Sequence, residues 1–104
     1  TLFAFDATID IVKKGNKLPK IVVQDATDNS FADKYIEKKI FKLLIGDLKI
    51  SANFIVDDRY IKTTYEGDYK ENFQSNIMPD LIARFKLEKQ DNTLIGYMKL
   101  INAK

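Results

Sequence analysis

Residues 20–58 read KIVVQDATDNSFADKYIEKKIFKLLIGDLKISANFIVDD, and this stretch decides the fold. It opens with a β-branched run, residues 20–24, that is typical of a strand covered on both faces. A polar loop then leads into a long amphipathic pattern, and residues 54–56 form a further apolar run that predicts a second strand. A strand, a helix and a strand in this order predict a right-handed crossover between two parallel strands.

The amphipathic pattern predicts one long helix. Apolar residues recur at spacings of three and four, which gathers them on one face as predicted core: Ile36, Ile40, Leu43, Leu44 and Leu48. The opposite face carries lysines: Lys34, Lys38, Lys39 and Lys42. We expect Ser30 or Asn29 to cap the start of the helix. Asp47 falls on the apolar face, and the return of Leu48 favours a helix that continues past Gly46 towards Ile50.

The last third of the chain predicts a β-hairpin. LIARFKLE, residues 81–88, alternates apolar residues with Arg84, Lys86 and Glu88, and TLIGYMKLI, residues 93–101, answers it after the turn QDN. Both strands are long, so we expect them at one side of the sheet with a partly solvated face. The predicted fold class is α/β: a small mixed sheet with a parallel β-α-β crossover and a C-terminal antiparallel hairpin.

Two segments precede this core. TIDIVK, residues 8–13, alternates apolar and polar residues as a half-buried strand does, and Gly15 and Asn16 supply a turn after it. A strand near a chain end is either an ordinary member of the sheet or an edge that another protein extends, and both readings stay open. TLFAFDA, residues 1–7, is either the remnant of a secretory signal peptide or an ordinary N-terminal extension.

Composition narrows the possible functions. A chain of 104 residues with a net charge of +2 predicts one domain without a strong field for nucleic acid or membrane. It contains no His and no Cys. That excludes imidazole general bases, thiol nucleophiles and the usual nitrogen and sulfur metal ligands.

Carboxylates are the first candidates for a site. Asp57 and Asp58 end the apolar run 54–56, where open α/β sheets bind ligands, but neighbouring strand residues point to opposite faces. A strand running into solvent, with Arg59 paired to one carboxylate, is the plainer interpretation. Asp25, with the loop residues Thr27 and Asp28 that follow it, could instead recruit a metal together with Asp57. That loop has no Gly to cradle phosphate. The corresponding alternative function is a small carboxylate-dependent hydrolase or a metal- or nucleotide-binding domain, centred on Asp25, Asp57 and Asp58.

A basic turn is the second candidate, as a nucleic-acid surface: Lys13, Lys14, Lys17 and Lys20. Acidic residues elsewhere nearly balance these lysines, so a solvated turn is the simpler interpretation.

Several segments, in their order along the chain, resemble the N-terminal domain of the TolB family, a periplasmic component of the Tol-Pal cell-envelope system. The resemblance is carried by TIDIVKKG, LPKIVVQDA, IGDLKISANFIVDDR and PDLIARFKLEKQDNTLIGYMKLINA. It extends from about residue 8 to residue 103, whereas residues 60–76 match poorly. No single motif is diagnostic, so the specificity comes from the order of the segments.

The resemblance implies an anticodon-binding-like α/β domain over residues 8–104 that works as a protein-interaction module, without catalysis or cofactor. It implies a further helix after the hairpin and a six-bladed propeller, neither of which these 104 residues contain. In the family the propeller binds the lipoprotein Pal, and an N-terminal segment binds the C-terminal domain of TolA. By position that segment corresponds to Thr8, Ile9, Asp10, Ile11, Val12 and Lys13. The implied role is outer-membrane integrity and envelope constriction during cell division.

Overall fold

The computed structural model describes residues 17–69 and 78–103. Their elements are, in chain order, β1 (Lys20–Asp25), α1 (Lys34–Ser51), β2 (Ile55–Lys62), β3 (Leu81–Gln90) and β4 (Thr93–Asn102). The four strands form one sheet in the order β2-β1-β3-β4. β1 runs parallel to β2 and β3, and β3 and β4 are antiparallel. The predicted fold class, with its crossover and hairpin, is confirmed; the predictions for residues 1–7 and 8–13 lie outside the described residues.

β1 is the centre of the sheet. Strands flank it on both sides, and every residue from Ile21 to Asp25 is buried. The prediction of a strand covered on both faces is therefore confirmed. The burial continues through the polar residues Gln24 and Asp25, whose side chains are fully inaccessible to solvent.

α1 packs on one face of the sheet, although it is rotated from the predicted orientation. Ile40 is buried as expected, but Leu43 is 52% exposed, and Phe41 and Ile45 are buried instead. Asp47 is exposed, so it does not face the core. Apolar residues at spacings of three and four are compatible with two overlapping faces of the helix. The face that packs on the sheet is the one centred near Phe41.

The helix begins later than its predicted caps. Asp33 is the N-cap, and its Oδ1 accepts a hydrogen bond from the backbone N–H of Ile36 at 3.0 Å. Ser30 instead donates its backbone N–H to Asp28 Oδ1 at 2.8 Å, which forms a local turn before the helix. At the other end α1 continues past Gly46 to Ser51, as expected, and Ala52 closes it in the left-handed conformation with φ 58°.

The predicted hairpin is confirmed, with a tip shorter than the predicted turn QDN: Gln90 pairs with Thr93, which leaves two residues at the tip, and Asp91 takes a positive φ of 55°. β3 lies between β1 and β4, so it is an interior strand. Arg84, expected on the solvated side, is completely buried. Alternation alone placed it wrongly, because the segment after β2 covers that face of β3.

Candidate functional site

Four polar side chains meet where β1 ends beneath α1, and we call them the carboxylate cluster: Asp25, Glu37, Tyr60 and Lys62. Asp25 is the last residue of β1 and faces the helix, as Ile21 and Val23 do. Glu37 lies in the first turn of α1, and the other two residues come from β2.

Hydrogen bonds connect the three elements through this cluster. The Tyr60 hydroxyl donates to Asp25 Oδ2 at 2.5 Å and lies 3.2 Å from Glu37 Oε2. The Lys62 ammonium donates to Glu37 Oε2 at 2.7 Å and to the Thr27 carbonyl at 2.5 Å, and it lies 3.8 Å from Asp25 Oδ2. Asp25 Oδ1 accepts from the Thr27 backbone N–H at 2.9 Å. The cluster therefore fastens α1 to the parallel pair β1 and β2.

The two carboxyl groups of the cluster differ in their affinity for a proton. Burial raises the pKa of Glu37, and the neighbouring Asp25 raises it further, against the opposing effect of Lys62. Burial also opposes ionisation of Asp25, but hydrogen bonds from Glu37, Tyr60 and Thr27 outweigh it and lower the pKa of Asp25. Glu37 is therefore the carboxyl that holds a proton more readily, and Asp25 is the one that stays ionised beside Lys62.

The arrangement leaves little capacity for a substrate. Asp25 is 0% exposed and Glu37 is 3% exposed, and the Asp25 oxygens already accept bonds from groups of the protein. Among the described residues Glu37 Oε1 has no hydrogen-bond partner, and the Lys34 ammonium lies 3.7 Å from it. The geometry therefore supports two roles for the carboxylate cluster: it joins α1 to β1 and β2, and Glu37 can bind a proton.

A second buried polar group lies on the opposite face of the sheet, and we call it the arginine cluster: Arg84, Gln24 and the carbonyl oxygens of Tyr65 and Gly67. Arg84 Nε donates to Gln24 Oε1 at 2.9 Å, and Nη1 donates to the carbonyls of Tyr65 at 3.1 Å and Gly67 at 2.6 Å. Arg84 Nη2 and Gln24 Nε2 have no acceptor among residues 17–69 and 78–103. Burial lowers the pKa of Arg84, while Glu66 and Asp68 raise it from a distance. A guanidinium remains protonated at neutral pH even when it is buried, so the arginine cluster holds a buried cation.

The predicted carboxylate site does not assemble. Asp57 and Asp58 lie inside β2, which continues to Lys62, so they are not at the end of a strand. They bind different partners: Arg59 contacts both oxygens of Asp57, with Nη2 at 2.7 Å from Oδ2, and Lys49 of α1 lies 3.3 Å from Asp58. The expected pairing with Arg59 is confirmed, and this bond lowers the pKa of Asp57.

Asp25 also fails to meet Asp57. In the parallel register Asp57 is opposite Val22, whereas Asp25 is opposite Lys62 at the far end of the strand. Asp28 is held by the turn with Ser30. Within residues 17–69 and 78–103, no group of three or more acidic side chains is placed to hold a metal ion.

The basic turn is only partly described. Lys17 and Lys20 are exposed, and the Lys20 backbone N–H donates to Asp80 Oδ2 at 2.8 Å. Lys13 and Lys14, like the predicted partner-binding residues 8–13, lie outside the described residues. In the described part of the chain, no helix has the length and apolar character needed to span a membrane.

Sequence reasoning named Asp25 as a candidate site residue but missed the other residues of the two clusters. Glu37 had a visible signal, because it precedes Phe41 by one helical turn and therefore falls on the buried face. Gln24 and Asp25 directly continue a buried apolar run. Tyr60 and Lys62 carried no signal, because their place in the carboxylate cluster depends on β2 extending beyond residue 56.

The described residues thus define a class of protein, a small α/β domain. One helix connects two parallel strands of a mixed sheet, and an antiparallel hairpin supplies the other two strands. Comparison with known proteins takes the assignment further. A Tol-Pal system protein TolB from Helicobacter hepaticus is 40% identical over 99 residues, which is 95% of this chain and 22% of that protein. The TolB of Wolinella succinogenes is 30% identical over 96% of this chain, and one from Campylobacter jejuni is 34% identical over 75%.

Over nearly its whole length, then, this chain is homologous to TolB, consistent with a TolB N-terminal domain. It spans about a fifth of the length of the curated relatives that it matches. No family model matches the sequence. No solved structure matches it significantly.

Proposed function

We propose that this chain is a protein-interaction module of the Tol-Pal system, that it has no catalytic activity, and that residues 8–13 bind the C-terminal domain of TolA. The observation that carries the proposal is the 40% identity to a TolB over 95% of the chain. The alternating pattern of TIDIVK suits addition as an extra strand, in which backbone hydrogen bonds give affinity and alternate side chains give specificity. Ile9 and Ile11 would supply that specificity.

The topology of the sheet supports separate roles for residues 8–13, which would bind the partner, and for the described domain, which would support them. Residues 17–19 lead directly into β1, and β1 is already paired on both sides by β2 and β3. The segment that precedes β1 is therefore not needed to complete the centre of the sheet. The described domain acts as a scaffold, because its buried polar side chains are bound mainly to one another and to backbone groups.

The cellular role follows from the same proposal. The chain would act in the periplasm, in support of outer-membrane integrity and constriction during division. Contact with the lipoprotein Pal would belong to a propeller outside these 104 residues. The carboxylate site has no assembled geometry to favour it, and nothing in the described residues favours nucleic acid.

Two truncations test the proposal. Removal of residues 1–14 is expected to abolish binding to the TolA C-terminal domain in calorimetry, whereas removal of residues 1–6 leaves it intact because residues 8–13 remain. Ile9→Asp with Ile11→Asp in the full chain should match the longer truncation. Circular dichroism checks that the scaffold stays folded. Unchanged affinity after removal of residues 1–14 contradicts the proposal.

A further inference from the structure

The outward face of α1 carries an apolar stripe that the packing of the domain does not use. At helical spacings of four, four, three and four, one line of residues runs along the side opposite the core, and we call it the outer stripe: Tyr35, Lys39, Leu43, Gly46 and Ile50. Tyr35 is 75% exposed, Leu43 is 52% exposed and Ile50 is 84% exposed. Single exposed apolar residues are ordinary, but these three lie along the same side of one helix.

The middle of the outer stripe leaves room for another backbone. A Cβ built on Gly46 meets no atom within 4 Å, so open space lies above it, between Leu43 and Ile50. A small residue between larger ones forms the kind of groove into which a ridge of a second helix packs. The fold does not require this glycine, since α1 continues through it, and Gly in a helix interior costs about 1 kcal/mol relative to Ala.

The two flanks of the outer stripe carry charges of opposite sign. At 100° per residue, Lys38 and Lys42 follow one flank, and Asp47 lies on the other. All three side chains are exposed. The Lys39 ammonium lies 6.0 Å from the Tyr35 ring, so the stripe itself also carries a cation.

We propose that the outer stripe docks an amphipathic α-helix of a partner protein, with apolar side chains against Tyr35, Leu43 and Ile50 and acidic side chains beside Lys38 and Lys42. An anionic bilayer fits less well, because Asp47 would face its headgroups on one flank. A second copy packed antiparallel through the same stripe would place lysine flank against lysine flank. The outer stripe includes none of residues 8–13, so this docking does not depend on the TolA proposal.

The test uses two synthetic helical peptides and the intact chain. Both peptides carry the same leucine stripe; one has glutamates beside it and the other has lysines. In amide NMR titrations the glutamate peptide is expected to shift resonances along residues 35–50 and to bind about tenfold more tightly than the lysine peptide.

Substitutions then locate the site. Gly46→Gln fills the open space without disturbing the core, and it should weaken binding of the glutamate peptide about tenfold or more. Thr93→Gln is the matched control at an exposed residue of the hairpin, and it should change nothing. The double variant Lys38→Glu, Lys42→Glu should reverse the preference between the two peptides.

Several outcomes overturn the proposal. One is the absence of shifts with the glutamate peptide at millimolar concentration, and another is a set of shifts away from α1. Equal affinity of Gly46→Gln and the unchanged chain would also reject it. Binding to phosphatidylglycerol vesicles through the same residues, without peptide binding, would replace the helix partner with a membrane.

Discussion

The two polar clusters face opposite sides of the sheet, and they compensate buried charge in different ways. In the carboxylate cluster the Lys62 ammonium lies 2.7 Å from Glu37 and 3.8 Å from Asp25, so opposite charges compensate one another locally. In the arginine cluster the hydrogen bonds of Arg84 within the described residues go to the neutral oxygens of Gln24, Tyr65 and Gly67. Buried charge is tolerated when it is paired, and an unpaired buried donor costs free energy. Most substitutions in the carboxylate cluster should therefore lower the free energy of unfolding, whereas a substitution that adds an acceptor to the arginine cluster should raise it.

The largest effect is expected from Asp25→Ala. The substitution removes the acceptor for the Tyr60 hydroxyl and for the Thr27 N–H, and it removes one of the two carboxylates near the Lys62 ammonium. We expect a loss of about 3 kcal/mol in the free energy of unfolding, measured by urea denaturation. Asp58→Ala, which breaks an exposed ion pair with Lys49, is the control and should cost under about 1 kcal/mol. Similar losses for the two variants would remove the distinction between buried and exposed carboxylates.

A change of opposite sign is expected from Gln24→Glu in the arginine cluster. The second carboxylate oxygen would replace the unpartnered Gln24 Nε2, provide an acceptor for Arg84 Nη2 and pair the buried cation. We expect a gain of about 1 kcal/mol in the free energy of unfolding at pH 7. Gln24→Met, which removes the acceptor of the Arg84 Nε hydrogen bond, should lose about 2 kcal/mol. Equal destabilisation by both variants would mean that the cluster has no missing acceptor.

The proton affinity of Glu37 gives a pH-dependent comparison. Folding raises the pKa of Glu37 above its ordinary value of 4.5, so the contribution of this group is fully present below that pH and is lost as pH rises through the folded pKa. Asp25 has the opposite sign, because its lowered pKa gives stability that is present above its ordinary value of 3.8 and lost in acid. Above pH 4.5 the Glu37 contribution therefore dominates the slope.

Glu37→Gln imitates the protonated carboxyl at every pH. Its stability relative to the unchanged chain should rise with pH above 4.5, at a slope of up to about 1.4 kcal/mol per pH unit, until the folded pKa is passed. Denaturation curves between pH 4 and pH 8 measure this difference. Gln24→Met, outside the cluster, should show no such trend. A relative stability that falls as pH rises would contradict the assignment of the proton to Glu37.

The smallest expected effect concerns the distant compensation of Arg84. Glu66 acts on Arg84 only through space, and its side chain is 87% exposed in a contact of 3.5 Å with Lys99. Glu66→Gln should change the free energy of unfolding by less than about 0.5 kcal/mol, and salt should screen the difference. Unfolding experiments at low and high ionic strength test this. A large, salt-independent loss would show that Glu66 compensates Arg84 directly.

The elements of the fold follow from local patterns. A β-branched run, a stripe at spacings of three and four, and two alternating strands around QDN were sufficient for the crossover and the hairpin. Errors arose where a local pattern had two solutions. Leu43 and Phe41 both fit a helical face, and either Asp33 or Ser30 can cap a helix.

The sequence by itself determined which segments become strands or helix and in what order they follow, because hydrophobic period and turn chemistry act over a few neighbouring residues. Only the tertiary structure decided which polar groups come into contact. Asp25, Glu37 and Lys62 come from three elements, and Arg84 meets Gln24 from a strand 60 positions away. The order of the strands and the pairing of β1 with β2 and β3 bring such groups together, and these depend on contacts between residues far apart in the sequence.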